Sequence, residues 1–574
     1  VTRNYLSAAL LVCLCAVLFY PGFLFHWEAA KDPYVFGDDA RQYLPVFDND
    51  IPGSSVPLTY TKQYYRDTLM LPGFRALYKF AAVHGDTHSL ARILTYLLYL
   101  CTVALLAAAA WKVGGLLTAA CVLVLSLSTS FMLQWGYIGG TSRMFAYTFI
   151  ALALWALAAG RPLLLAGCTA VAALFYPLAA AVCGLTLAMW LLLMPERAQG
   201  KVAGWSWPQK LSLLTITASL TLAAVLPTML EGGNYGRRVV GEDVADWPEA
   251  SAQGRYTVYG DAVPYPLMPP GLVVSYFFEG LTGNGSPILP AVSLRRSAPQ
   301  SVLVLSMLAL YVVVFGLIRL IKYRPSSVRV LLPFAAAIVL HCVAVILQPM
   351  LYIPGRYLVY TVPLWACFLF PLGLYGIAIG RTGSRAQRLV WLPVLAVFIL
   401  WGGRGDAHTP WTIVIPEPER KFYQQISALP EHSLIAGWPG SAELADINLD
   451  NIAFLTRRNV LLNHETHQVL HFDYMARMRE RMEDVVAAYF SSDLSELMRL
   501  KEKYGVTHVL VDTNHFAGTP PVYFSPWDSE RIKAEMKASN GPPLLADRAL
   551  HNRAGIIRHD SYILLDLARL DPPF

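Results

Sequence analysis

Charge is scarce in this chain. Of its 574 residues only 15% are Asp, Glu, Lys or Arg against 55% hydrophobic, and mean hydropathy is +0.44. A soluble globule carries nearer a quarter charged residues, so an ordinary soluble enzyme is excluded. Cysteine is missing from the polar parts. All eight (Cys13, Cys15, Cys101, Cys121, Cys168, Cys183, Cys342, Cys367) lie in hydrophobic runs, which excludes a disulfide framework or a thiolate metal site and leaves small packing residues. Internal repeats and low-complexity runs are also lacking. The first apolar run, about 5–25 behind Arg3, ends in Tyr20-Pro21-Gly22 and not in a small-x-small cleavage site, so it reads as an uncleaved anchor.

What is present is a series of apolar runs of roughly membrane-spanning length. After the first they fall at about 90–111, 114–134, 142–160, 162–175, 177–194, 211–230, 301–322, 330–348, 358–380 and 389–403. Read as one helix, 162–194 would be about 50 Å long against a hydrocarbon core of about 30 Å, and Tyr176-Pro177 offers a break. With the break, Arg3, Lys112, Arg161, Arg197, Lys201, Lys210, Arg319, Lys322, Arg324, Arg329, Arg381, Arg385 and Arg388 all fall on one side, the cytoplasm by the positive-inside rule. Without it, every basic loop after 194 changes sides. The split predicts about eleven transmembrane helices in a module over 1–403.

Three polar pieces then share the outer face: loop 26–89, loop 231–300 and a tail over 404–574. In the first, Phe74, Leu77, Tyr78 and Ala81 share one face of a helix over 73–83 that could lie in the interface. The tail alternates helix (421–429, 476–489, 494–504) with strand (433–437, 459–462, 507–512), which predicts a small α/β domain on a parallel or mixed sheet.

The chemistry centres on Phe36-Gly37-Asp38-Asp39-Ala40-Arg41, two adjacent carboxylates and a cation just past the first apolar run. Near a low-dielectric boundary such carboxylates repel, which raises one pKa and keeps the other as an acceptor. That suits deprotonation of a hydroxyl, or coordination of a divalent ion. The bland alternative is a solvated turn after Gly37.

Position favours the first reading. An acidic pair in the first outer loop, about eleven spans and an outer C-terminal domain together resemble the GT-C glycosyltransferases. These include protein O-mannosyltransferases, aminoarabinose transferases, arabinosyltransferases and oligosaccharyltransferase catalytic subunits. The resemblance implies an enzyme working on the outer face of a membrane, and the aliphatic-rich, cysteine-poor tail points to a bacterial host, hence to the inner membrane with the tail in the periplasm. The enzyme would move a sugar, with inversion, from a polyprenyl-phosphate-linked donor to a lipid, glycan or protein acceptor. Asp38 or Asp39 would be the base, Asp38 being the first of the pair. Arg356 and Tyr357, in Pro354-Gly355-Arg356-Tyr357, look like the Arg-Tyr element near the donor phosphate. Arg143, at the outer start of a span where a basic residue is disfavoured, is a second candidate for the phosphate, with Arg41 beside the acids. A divalent cation, Mg or Mn, is compatible, but no strong ligand set implies one.

Other features carry less. Asp48-Asn49-Asp50 matches an acid-x-acid metal motif by spacing alone. His464, His467 and His471 cluster near Glu465, but Thr466 and Gln468 break the zinc-protease pattern, leaving surface or interface histidines. His341 reads as a packing residue, Arg66 and Arg75 as lipid-facing charge, and Asn284-Gly285-Ser286 as a glycosylation match of little weight in a bacterium. Two rival functions stand: a non-catalytic transporter or assembly scaffold with a partner-binding outer domain, and a lipid-linked polysaccharide polymerase or ligase.

Overall fold

A computed structural model describes residues 2–128, 137, 139–251, 253–255, 300–347, 354–379, 411–440, 443–517, 521–538 and 541–570. The expected span 389–403, Asn284-Gly285-Ser286 and most of loop 231–300 lie outside these residues.

The first helix, α1 (Thr2–Lys31), runs past the apolar stretch. Its last turn holds the good helix formers Glu28, Ala29, Ala30 and Lys31, with Lys31 donating to Glu28 at 2.6 Å, so the outer loop starts at Asp32 and not near residue 26. Among the described residues five helices are long and apolar enough to cross a membrane: Thr87–Gly114, Ser142–Ala159, Trp207–Tyr235, Pro325–Ile346 and Arg356–Ala378. Leu116–Leu127, Pro162–Ala173 and Pro177–Leu192 are shorter apolar helices. This is the layout of a multi-pass membrane protein.

The break at Tyr176-Pro177 is present. Pro162–Ala173 and Pro177–Leu192 are separate helices that pack on each other, each with proline in its first turn, where the missing N–H costs nothing. Tyr176 takes the extended conformation that a following proline imposes. Elsewhere, Gln300–Tyr323 and Val362–Ala378 cross backbone to backbone through Gly316, Gly373 and Gly376, where any Cβ would collide. Small residues at a crossing are how apolar helices gain contact without help from water.

In the first outer loop, Pro72–His84 forms the anticipated helix. Phe74, Tyr78 and Ala81 are buried and Leu77 half-buried, while Phe80 is 64% exposed on the outer side, where a membrane interface suits it. Its N-terminus sits on the end of Pro162–Ala173, with Gly73 N–H donating to Leu174 O at 2.9 Å. Arg75 is not lipid-facing: it forks onto Glu231, with Nη2 at 2.6 Å.

The tail carries a five-stranded mixed sheet. With β1 (Val35–Phe36) and β2 (Ile413–Val414) counted first, its strands are β3 (Leu434–Gly437), β4 (Asn459–Val460), β5 (His508–Asp512), β6 (Gly555–His559) and β7 (Tyr562–Asp566), in the order β4-β3-β5-β7-β6. β3 is parallel to β4 and β5, while β7 is antiparallel to β5 and β6. The β6–β7 hairpin escaped the sequence reading. It turns at Asp560, whose φ of +48° is a conformation that Asp tolerates better than most residues. β1 and β2 pair antiparallel, stitching the first outer loop to the start of the tail.

Candidate active site

The acid loop is fixed from both ends of the chain. Beyond β1, Asp38 N–H donates to Thr412 Oγ1 at 3.0 Å, and Asp38-Asp39 turn into the short helix Ala40–Tyr43. Asp39 heads that helix but makes no side-chain cap, so its carboxylate is directed elsewhere. It accepts from Gln42 Nε2 at 2.9 Å and pairs with Arg143. Glycine makes that approach feasible. Gly140 has φ +89°, and a Cβ there would stand 3.0 Å from Leu44 and 3.3 Å from Ala40 on the acid loop.

Asp38 pairs with Arg41, whose guanidinium is buried and also reaches Glu465 at 3.2 Å and Asn451 at 3.1 Å. Burial alone would lower the Arg41 pKa, but Asp450, Glu465 and Asp38 outweigh it and hold the group charged. Glu465, near the tail histidines, is the centre of a second acidic layer. Its backbone N–H donates to Asp450 at 3.0 Å, while Gln42 and Arg255 reach its carboxylate, Arg255 at 3.4 Å. Burial, and then the charge of Asp450, push the Glu465 carboxyl up to about 7 despite the two arginines. His464 is pushed down to about 3 by burial and then by Arg255, so its imidazole is neutral.

These groups surround a cavity of about 390 Å³. Asp38, Asp39, Arg143 and Arg356, four of the six residues singled out from sequence, line it together. Arg41 lies behind Asp38, and Tyr357 packs beside Arg356 with Tyr176 and Tyr360 under the cavity. Tyr176 at the helix break also lines the cavity, so the break, the start of Phe145–Ala159 and the turn before Val362–Ala378 all meet at one end of the helical part. His341 helps set that turn, its ring Nδ1 lying 3.0 Å from Pro354 O.

Sequence reading passed over Glu465, Arg255 and Gln42, which also line the cavity. Glu465 was weighed only as a metal neighbour, since nothing in the sequence ties it to Arg41, 424 positions away. Of its histidine neighbours, His464 lines the cavity, while His467 and His471 are structural. His467 is buried against Tyr523 OH at 3.0 Å, and His471 meets Tyr64 OH at 2.9 Å. Asp48 is ion-paired with Lys62 at 3.0 Å, and among the described residues no three His, Cys, Asp or Glu side chains gather as a metal site.

The sequence matches no family model and no curated protein. The fold does have similar solved structures. ArnT from Cupriavidus metallidurans in the apo state is 14% identical with a TM-score of 0.51, covering 96% of this chain and 97% of that one. The same protein bound to undecaprenyl phosphate gives a TM-score of 0.51 at 14% identity over 97% of both chains. The Archaeoglobus fulgidus oligosaccharyltransferase tethered to an acceptor peptide containing an NVT sequon has a TM-score of 0.50 at 12% identity, covering 96% of this chain and 72% of its own. The chain shares the fold of these structures over nearly its whole length. At such identity the likeness is one of fold.

Proposed function

We propose that the protein is an inverting glycosyltransferase that takes a sugar from a polyprenyl-phosphate carrier on the outer face of the membrane. The observation that carries this is the convergence of Asp38, Asp39, Arg143 and Arg356, from distant parts of the chain, on one cavity between the helices and the tail. The undecaprenyl phosphate bound to ArnT, a protein of similar fold, supports the choice of donor.

In this scheme Asp38, the more exposed acid with a side chain 34% accessible, takes the proton of the acceptor hydroxyl. That oxygen attacks the anomeric carbon, the bond from carbon to phosphate oxygen breaks, and the lipid phosphate leaves with the electron pair. Arg356 meets the charge growing on the phosphate. Arg143 holds Asp39 until phosphate arrives and then contributes to the same anion. Three arginines, Arg143, Arg255 and Arg356, face Asp38, Asp39 and Glu465, and burial, which pushes Glu465 up to about 7, lightens the acidic side in favour of an anion. Asp38 and Asp39 each already face a guanidinium group, so Mg or Mn stays outside the scheme, and EDTA is expected to leave the rate unchanged.

The architecture that goes with this reading has about eleven spans over 1–403 and an outer α/β domain over 404–574, periplasmic in a bacterial inner-membrane protein. The test incubates purified protein with polyprenyl-phosphate sugars and follows loss of sugar from the carrier. Turnover in wild type and none in Asp38→Ala supports the reading, whereas equal behaviour of the two favours a non-catalytic scaffold.

A further inference from the structure

A second cavity, about 850 Å³, lies in the tail and adjoins the first, since Leu444 and His464 line both. It opens at the carboxyl ends of β3 and β5. Trp438 and Gly440 follow β3, and Asp512 and His515 end or follow β5. β3 and β5 are parallel neighbours, yet the chain leaves β3 for β4 on one side and β5 for the hairpin on the other. In open α/β sheets, the crevice made by such diverging connections is where ligands bind.

The lining selects the ligand. Glu443, Asp450 and Asp512 face the single cation Arg41, a balance that repels phosphate and other anions, in contrast to the first cavity. Burial holds His464 and His515 below the usual imidazole range, so neither adds charge. The rest of the wall combines the amides of Asn448 and Asn514 and aromatic rings with the aliphatic Leu444, Pro521 and Val522. Tyr523 and Phe524 stack at 4.2 Å, and Trp438 is anchored by its indole N–H on Val522 O at 3.2 Å. Carboxylates and amides for hydroxyl groups, with rings for the C–H faces of a pyranose, fit a sugar.

We propose that this crevice binds the acceptor, a neutral or amino-bearing oligosaccharide whose end passes His464 to reach Asp38. The role as acceptor rests on the transfer reading above, while the binding does not. Full-length protein in detergent is tested against an array of defined neutral, amino-sugar and uronic-acid oligosaccharides. Neutral or amino-sugar members should bind and uronic-acid members should not. Ala517→Trp, which fills the crevice from an exposed position, should weaken binding at least tenfold, and Asp38→Asn should keep it. If Ala517→Trp melts well below wild type, Val522→Trp from another part of the wall takes its place. No binding, binding of acidic glycans alone, or binding unchanged in the filled variant overturns the proposal. Glycan binding with no sugar transfer sinks the transfer reading instead, and transfer without glycan binding sinks only this one.

Discussion

The first outer loop holds two acidic groups that look alike in sequence and behave differently in the fold. Asp38 and Asp39 have side chains 34% and 21% exposed and face a cavity, whereas Asp48 is 7% exposed and closed against Lys62 at 3.0 Å. Burial pushes the Asp48 carboxyl up, and Lys62 pulls it back only part of the way. An acid buried with a dedicated cation holds structure. One left at the wall of a cavity, within reach of a substrate, is available for chemistry.

Four measurements break or sharpen that contrast. The largest effect is expected for Asp38→Asn, which should cut sugar transfer roughly 10²–10⁴-fold, the usual worth of a positioned base, with little change in melting temperature. Lys62→Met should do the reverse. It strands a buried carboxylate, costing about 3–5 kcal/mol in unfolding experiments, while the surviving folded protein keeps its turnover.

Glu465 tests the contrast by pH. Its folded pKa of about 7 lies above the ordinary 4.5, so the native state binds the extra proton. The stability that proton brings is complete below about 4.5 and is lost as pH rises through about 7. Glu465→Gln cannot lose it, so the melting temperature of wild type minus that of the variant should fall between pH 5 and pH 8. The smallest effect belongs to Lys79→Ala. Lys79 is 60% exposed and 3.4 Å from Asp50, and solvent screening leaves such a pair worth about 1 kcal/mol or less by thermal melts.

Helices and the acid loop were legible because their signals are local. Apolar runs mark the helices, Tyr176-Pro177 marks the break, and the face shared by Phe74, Tyr78 and Ala81 marks the helix lying outside the bundle. Asp38, Asp39, Arg143 and Arg356 could be named because each stands near the end of an apolar run. Glu465 could not, since its significance comes from Arg41 and Arg255, which only the folded chain brings near. The β6–β7 hairpin was missed for a related reason. Its apolar stretch Ile563-Leu564-Leu565 is too short to tell strand from helix until β5 lies beside it.

The little ribbon of β1 and β2, with the Asp38-to-Thr412 bond spanning 374 positions, has a consequence for how the protein comes into being. The acids are made before the helices that follow them, and the residue that pins them and the glutamate that backs them come only after. The acid loop is therefore held in place only after Thr412 and Glu465 have followed it out of the ribosome.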